Sequence, residues 1–308
     1  AFSSGMAAIS LLLELFRPGD TLLSSDDLYG GSIRLFRSIS EKNGIHFHFM
    51  DTSKTEQLES HFDESVKALY LETPTNPMMH ASDIRAAAEI AHRHGAILIA
   101  DNTFMTPYFQ NPLDLGADIV IHSGTKYLAG HNDTLAGFLV TNSPDLSEQL
   151  RFLYKTIGSC LSPFDSWLVL RGIKTLAIRM EAQQKNARII AAWLAGQPKV
   201  RNVFYPGLKS YSDRVIHQKQ SRGDGAMISF ETDSPETAAS VLESVKLIRF
   251  AESLGGTESL ITYPCTQTHA DLSEEERDSR GITRCLLRLS VGLEDADDLI
   301  EDLSQALK

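Results

Sequence analysis

Up to about residue 140 the chain alternates short apolar runs with segments of helical periodicity, and this alternation restricts the fold more than any other feature. Runs over 21–24, 45–49, 68–72, 96–100 and 118–122 read as short, mostly buried strands. Between them 32–42 and 82–94 read as helices, the second opening on Ala81-Ser82-Asp83, a capping signal. Parallel strands need crossover connections, so this pattern predicts an α/β fold with a mainly parallel sheet covered on both faces. Ligands of such sheets bind outside the carboxyl ends of the strands. The residues just after each strand are therefore the first candidates for chemistry.

From 145 to about 195 the pattern becomes helical, interrupted at Ser162-Pro163 and Arg171-Gly172. Beyond it the chain reads as α+β, with strands over 200–205, 226–231, 248–251 and 286–291 and helices over 234–244, 273–278 and 295–307. The polar, glycine-bounded stretch 207–225 reads as surface loop. Two domains follow, a large one over 1–184 and a smaller α+β one over 185–308, joined by a long helix near 180–195. The opening FSSGMAAISLLLELF sends a Ser-Ser-Gly turn straight into a helix, a pattern that belongs inside a domain. An upstream segment is therefore expected, with the large domain N-terminally truncated here.

A formal net charge of −11 argues against nucleic acid or an anionic membrane as partner. No apolar run approaches the roughly 20 residues of a membrane span. Cys160, Cys265 and Cys285 are widely spaced and form no CxxC, the pattern of reduced thiols in a cytoplasmic protein. The pairs His46/His48 and His92/His94 lack a neighbouring cysteine or carboxylate set, so no metal site is predicted.

The strand ends offer a consistent set of groups. After 68–72 comes Thr73-Pro74-Thr75-Asn76-Pro77, a proline-stiffened loop able to fix the Asn76 amide. Asp101 ends an apolar run, where a carboxylate is costly without a positive partner. A helix cap or a buried ion pair would serve, and so would a protonated pyridine nitrogen. After 118–122 comes Ser123-Gly124-Thr125-Lys126, hydroxyls suited to a phosphate beside an amine suited to attack a carbonyl. Ser3-Ser4-Gly5-Met6 opens the first helix, with free N–H groups and a positive dipole end that suit an anion, though an ordinary N-cap needs only the serine.

Together SSGMAAI, DLYGG, ETPTNP, DNTF, HSGTKYLAGH, ESLGGTESL and RLSVGLED, running in order from Ala1 to Lys308, resemble the trans-sulfuration (Cys/Met metabolism) family of pyridoxal-phosphate (PLP) enzymes. Its members include cystathionine γ-synthase, γ-lyase and β-lyase and methionine γ-lyase. The resemblance implies the aspartate-aminotransferase-like fold (fold type I), a PLP cofactor, and a homotetramer of catalytic dimers with shared active sites. It implies that Lys126 carries PLP as a Schiff base and shuttles protons, and that Asp101 pairs with the ring nitrogen. Tyr29 would stack on the ring and Asn76 would bond its phenolic oxygen. The amides of Gly5 and Met6 with the hydroxyls of Ser123 and Thr125 would hold the phosphate. Arg288, helped by Ser253, would clamp the substrate α-carboxylate; a structural ion pair is its other reading. The family's upstream Tyr-x-Arg motif, which reaches a neighbour's cofactor phosphate, precedes the first residue here.

Glu252 bears on the reaction. A glutamate before Ser253 resembles γ-synthases and γ-lyases, where it meets the distal amino group of cystathionine; some β-lyases are apolar there. The resemblance therefore points to γ-synthase or γ-lyase chemistry in cysteine and methionine metabolism, with cystathionine β-lyase the alternative. A catalytically silent relative would lack Lys126, Asp101 or Arg288, and the SLGG and RLSVG motifs argue against an aminotransferase of the same fold.

Overall fold

The computed structural model describes residues 1–308. Five parallel strands, β1 (Thr21–Ser25), β2 (His46–Met50), β3 (Val66–Glu72), β4 (Ile97–Asp101) and β5 (Ile119–Ser123), are joined at one edge by the antiparallel β6 (Gly137–Val140), in the order β2-β1-β3-β4-β5-β6. Each predicted strand forms, with its ends shifted by no more than about two residues. The strand order reverses direction at β1 and β3, the kind of switch that opens a crevice at the carboxyl edge.

A second sheet is built from β7 (Val200–Phe204), β8 (Met227–Thr232), β9 (Arg249–Phe250), β10 (Leu260–Thr262) and β11 (Leu286–Ser290), ordered β7-β8-β11-β10-β9 and largely antiparallel. Between the sheets in sequence runs the helix Leu176–Leu194, and the 184/185 division falls within it. Its Met180, Ile190 and Leu194 are each wholly buried, worth about 1.5–3 kcal/mol apiece. They pack in one core with Tyr127 and Phe104 from the first half and Ile228 and Leu289 from the second.

Four expectations need correction. The stretch 207–225 is not all surface loop, because Arg214–Gln220 is a helix. It is held against the first half of the chain by Gln220, whose amide accepts from Ile84 N at 3.1 Å and donates to Ser82 O at 2.9 Å, with His217 buried beneath. The helix expected to break at Arg171-Gly172 continues to Ile173, tertiary packing overriding the poor helix propensity of glycine. The segment predicted as helix over 32–42 is α-helical only over Gly30–Leu35 and continues as a π-helical turn, Phe36–Ser40. Strands β6 and β10, four and three residues long, have no counterpart among the predicted runs. Runs that short carry little periodicity of their own and exist through their partners, β5 and β11.

Candidate active site

The parallel strands bring their carboxyl ends to one edge, where a cleft of about 740 Å³ opens. Of the sequence-predicted residues, Gly5, Met6, Tyr29, Asn76, Asp101, Ser123, Thr125 and Lys126 all line it.

The helix Gly5–Leu13 starts at the rim of the cleft, capped by Ser4, whose hydroxyl accepts from Ala7 N at 3.0 Å. First-turn N–H groups have no intrahelical acceptor, which leaves those of Gly5 and Met6 pointing at the cleft edge. Glycine at position 5 lets the helix approach β5 closely, since a Cβ there would lie 3.0 Å from Ser123 Cβ. The Ser123 hydroxyl has no partner within the protein. The Thr125 hydroxyl is already engaged, donating to Ala136 O at 3.3 Å and accepting from Ala136 N at 3.1 Å.

Asp101 is buried at the end of β4, and its carboxylate accepts from Thr103 N at 3.0 Å and Thr103 Oγ at 2.6 Å. The same threonine oxygen accepts from Ser123 N at 2.8 Å, locking the acid to the hydroxyl cluster. Burial pushes the Asp101 carboxyl up to about 6 despite the two threonine bonds. Beside it, in direct register across β3 and β4, stands Glu72, held well above the usual carboxylate range first by burial and then by the Asp101 charge. Two adjacent buried acids create a strong demand for positive charge in the cleft.

Lys126 answers from the other side. Its ammonium donates to Ser253 Oγ at 3.1 Å, and burial, followed by the Arg288 charge, lowers it to about 8. A lowered lysine holds more of the neutral amine at pH 7 and is a better nucleophile for it. The following residue is anchored by Arg179, which donates to Tyr127 O at 2.8 Å.

Arg288 on β11 is 2% exposed. Its guanidinium donates to Asn76 Oδ1 at 2.8 Å, Ser253 O at 3.2 Å and Thr262 Oγ at 3.2 Å, all neutral acceptors, and its Nε has no partner. The ion-pair reading of Arg288 therefore fails: the cation is buried without a carboxylate, a costly state that an incoming anion relieves. Burial draws it down to about 10. Because Asn76 gives its oxygen to Arg288, its amide NH₂ is the part left to face the cleft. Glu252 is exposed at the rim, and its charge acts on Tyr29, Lys126 and Arg288. Neither histidine pair lines the cleft: His46 and His48 are exposed on the edge strand β2, while His92 bonds Asp118 at 2.8 Å.

A sequence model of the family described as "Cys/Met metabolism PLP-dependent enzyme" matches residues 1–308. The chain belongs to this family. Among its relatives, a cystathionine gamma-lyase of Bacillus subtilis (strain 168) is 49% identical over 308 residues, covering 100% of this chain and 81% of the relative. A cystathionine gamma-synthase/O-acetylhomoserine (thiol)-lyase of the same organism is 50% identical, covering 100% and 78%. A cystathionine beta-lyase of Lactococcus lactis subsp. cremoris (strain MG1363) is 47% identical, covering 100% and 81%. The crystal structure of cystathionine gamma-lyase from Lactobacillus plantarum complexed with L-serine superposes with a TM-score of 0.96 at 44% identity, covering 99% of this chain and 80% of that one.

The protein is thus a PLP-dependent trans-sulfuration enzyme with the α/β fold of its solved relatives. Its cleft fits the cofactor: unpaired N–H groups and a free hydroxyl at one end suit a phosphate, and the buried, charge-starved Asp101 suits a protonated ring nitrogen. Sequence reasoning missed Glu72, Thr103 and Leu254, which also line the cleft. The strand-end rule that singled out Asp101 applies equally to Glu72, its register partner. Nothing in the sequence marks Thr103 as a bridge between two strands.

Proposed function

We propose that this enzyme makes or breaks a carbon–sulfur bond at Cγ of a cystathionine-type amino acid, as a γ-synthase or γ-lyase. The observation that carries the proposal is the buried Arg288 guanidinium, unpaired by any carboxylate and adjacent to Asn76 and Ser253 beside Lys126. An amino acid whose α-carboxylate meets Arg288 presents its α-carbon toward the lysine amine.

PLP when bound supplies the electron sink that makes a proton on the substrate α-carbon acidic. Lys126 would hold the cofactor, and its amine, once released, would take the α-proton and carry protons between the substrate carbons. The lowered lysine pKa keeps that amine close to the balance point between acceptor and donor at neutral pH. Asp101 would keep a proton on the ring nitrogen, Tyr29 would cover the ring, and Asn76 would donate its amide to the phenolic oxygen. Gly5, Met6, Ser123 and Thr125 would hold the phosphate, with Ser123 the readier donor of the two hydroxyls because that of Thr125 is already engaged with Ala136. Removal at Cβ takes one α-proton; chemistry at Cγ takes a second proton from Cβ, which favours a single mobile base.

Glu252 favours chemistry at Cγ over chemistry at Cβ. Its exposed carboxylate, whose charge acts on Tyr29, Lys126 and Arg288, would receive the distal ammonium of cystathionine. Glu252→Ala is expected to lower kcat/KM for cystathionine about fivefold, a rim ion pair being worth roughly 1 kcal/mol, while substrates without a distal amine keep their rates. An equal loss on both kinds of substrate would remove the distal-amine role. Assembly with a further copy of the chain is supported by large apolar side chains left exposed on the helix Pro163–Ile173, among them Phe164 at 67% and Trp167 at 56%.

A further inference from the structure

The peptide that carries Tyr29 is gripped from two sides by buried groups from distant parts of the chain. On one side Tyr29 N donates to Glu72 Oε2 at 2.9 Å, across 43 residues of sequence. On the other, His269 Nε2 donates to Leu28 O at 2.9 Å, across 241 residues. Since a carbonyl can only accept, this bond fixes the tautomer: Nε2 carries the hydrogen, and Nδ1 accepts from Thr268 Oγ at 2.8 Å. His269 is buried and Leu28 wholly so.

The fit between the two segments is close. A Cβ on Gly30 would lie 1.8 Å from Thr268 O, so the backbone of the 268–269 turn rests directly on the peptide after Tyr29. The exposed pairs Arg34–Asp271 and Arg37–Glu276, at 2.6 and 2.8 Å, continue the contact outward and add little energy. Tyr29 itself opens the helix Gly30–Leu35 without a side-chain cap, so its own element does little to hold it.

We propose that Glu72 and His269 are positioning residues that clamp the Leu28–Tyr29 peptide and thereby set the Tyr29 ring over the cofactor. The inference rests on the stacking role proposed for Tyr29. Glu72 acts as an acceptor and His269 as a donor. Burial, and then Asp101 next to it, raise the Glu72 carboxyl well above the usual carboxylate range, and burial draws His269 down to about 4. Neutral isosteres should therefore replace both. Gln at 72 retains an acceptor oxygen, and Gln at 269 places an amide donor near the position of Nε2.

The test is PLP affinity of the cofactor-free protein, followed by absorbance, in wild-type and Tyr29→Ala backgrounds. Glu72→Ala and His269→Ala are each expected to weaken PLP binding about tenfold with the tyrosine present. Glu72→Gln and His269→Gln should recover most of that loss. In Tyr29→Ala neither alanine change should weaken binding further, because the ring they position is gone. Equal losses with and without the ring would overturn the clamp, and so would a Glu72→Gln as weak as Glu72→Ala. A Tyr29→Ala protein with wild-type affinity would overturn the stacking role and the clamp with it. If His269→Ala does not fold, the Glu72 pair in both backgrounds decides alone.

Discussion

Lys126→Ala should lose its turnover by about 10³-fold or more, together with the visible absorbance band of lysine-bound PLP, while the cofactor-free protein remains folded. The structure explains why folding survives. The lysine makes a single side-chain hydrogen bond, to Ser253 Oγ at 3.1 Å, and burial lowers its pKa from 10.5 to about 8. A base lowered in this way costs stability at full size below pH 8, and the cost fades as pH rises toward 10.5. At pH 7, removing the amine therefore relieves a penalty, and the melting temperature of the cofactor-free variant should equal or exceed that of wild type. A variant that lost activity only because it unfolded would show the opposite.

The second large effect belongs to Arg288. Arg288→Ala should lower kcat/KM by about 10²–10³-fold, mostly through KM, since a guanidinium that clamps the substrate carboxylate would make its charge-assisted bonds in ground and transition states alike. Arg288→Lys should recover only part of this, because one ammonium cannot reproduce the planar fork that also holds Asn76 Oδ1, Ser253 O and Thr262 Oγ. Steady-state kinetics with a fixed amino-acid substrate checks both. If kcat fell while KM stayed constant, Arg288 would be acting on the chemical step and not on carboxylate binding.

Both predictions concern residues that the sequence alone singles out, and the reason is physical. Asp101 ends the buried strand β4 and Lys126 lies in the turn just past β5, where the apolar pattern makes a charge conspicuous, and parallel topology brings those strand ends to one edge. Arg288 stands inside an otherwise apolar strand, where a permanent charge is conspicuous for the same reason and calls for an anion. The residues that stayed hidden act through pairing. Glu72 matters because register sets it against Asp101, and Thr103 because its one oxygen meets two strands. His269 lies 241 residues from the carbonyl it holds, in a stretch with no periodicity to mark it. The same distinction runs through the fold. Strands β1 to β5 carry their own hydrophobic pattern, while β6, β10 and the helix Arg214–Gln220 owe their form to what they pack against.

Relatives with γ-lyase, γ-synthase and β-lyase names lie between 45% and 50% identity, so overall similarity does not separate the reactions and the products must. The most direct measurement is product analysis of the PLP-loaded protein with cystathionine and with O-acylhomoserines plus cysteine. Chemistry at Cγ predicts cysteine and 2-oxobutyrate from cystathionine, or cystathionine from the acylhomoserine. Homocysteine and pyruvate from cystathionine, with acylhomoserines left intact, would contradict it.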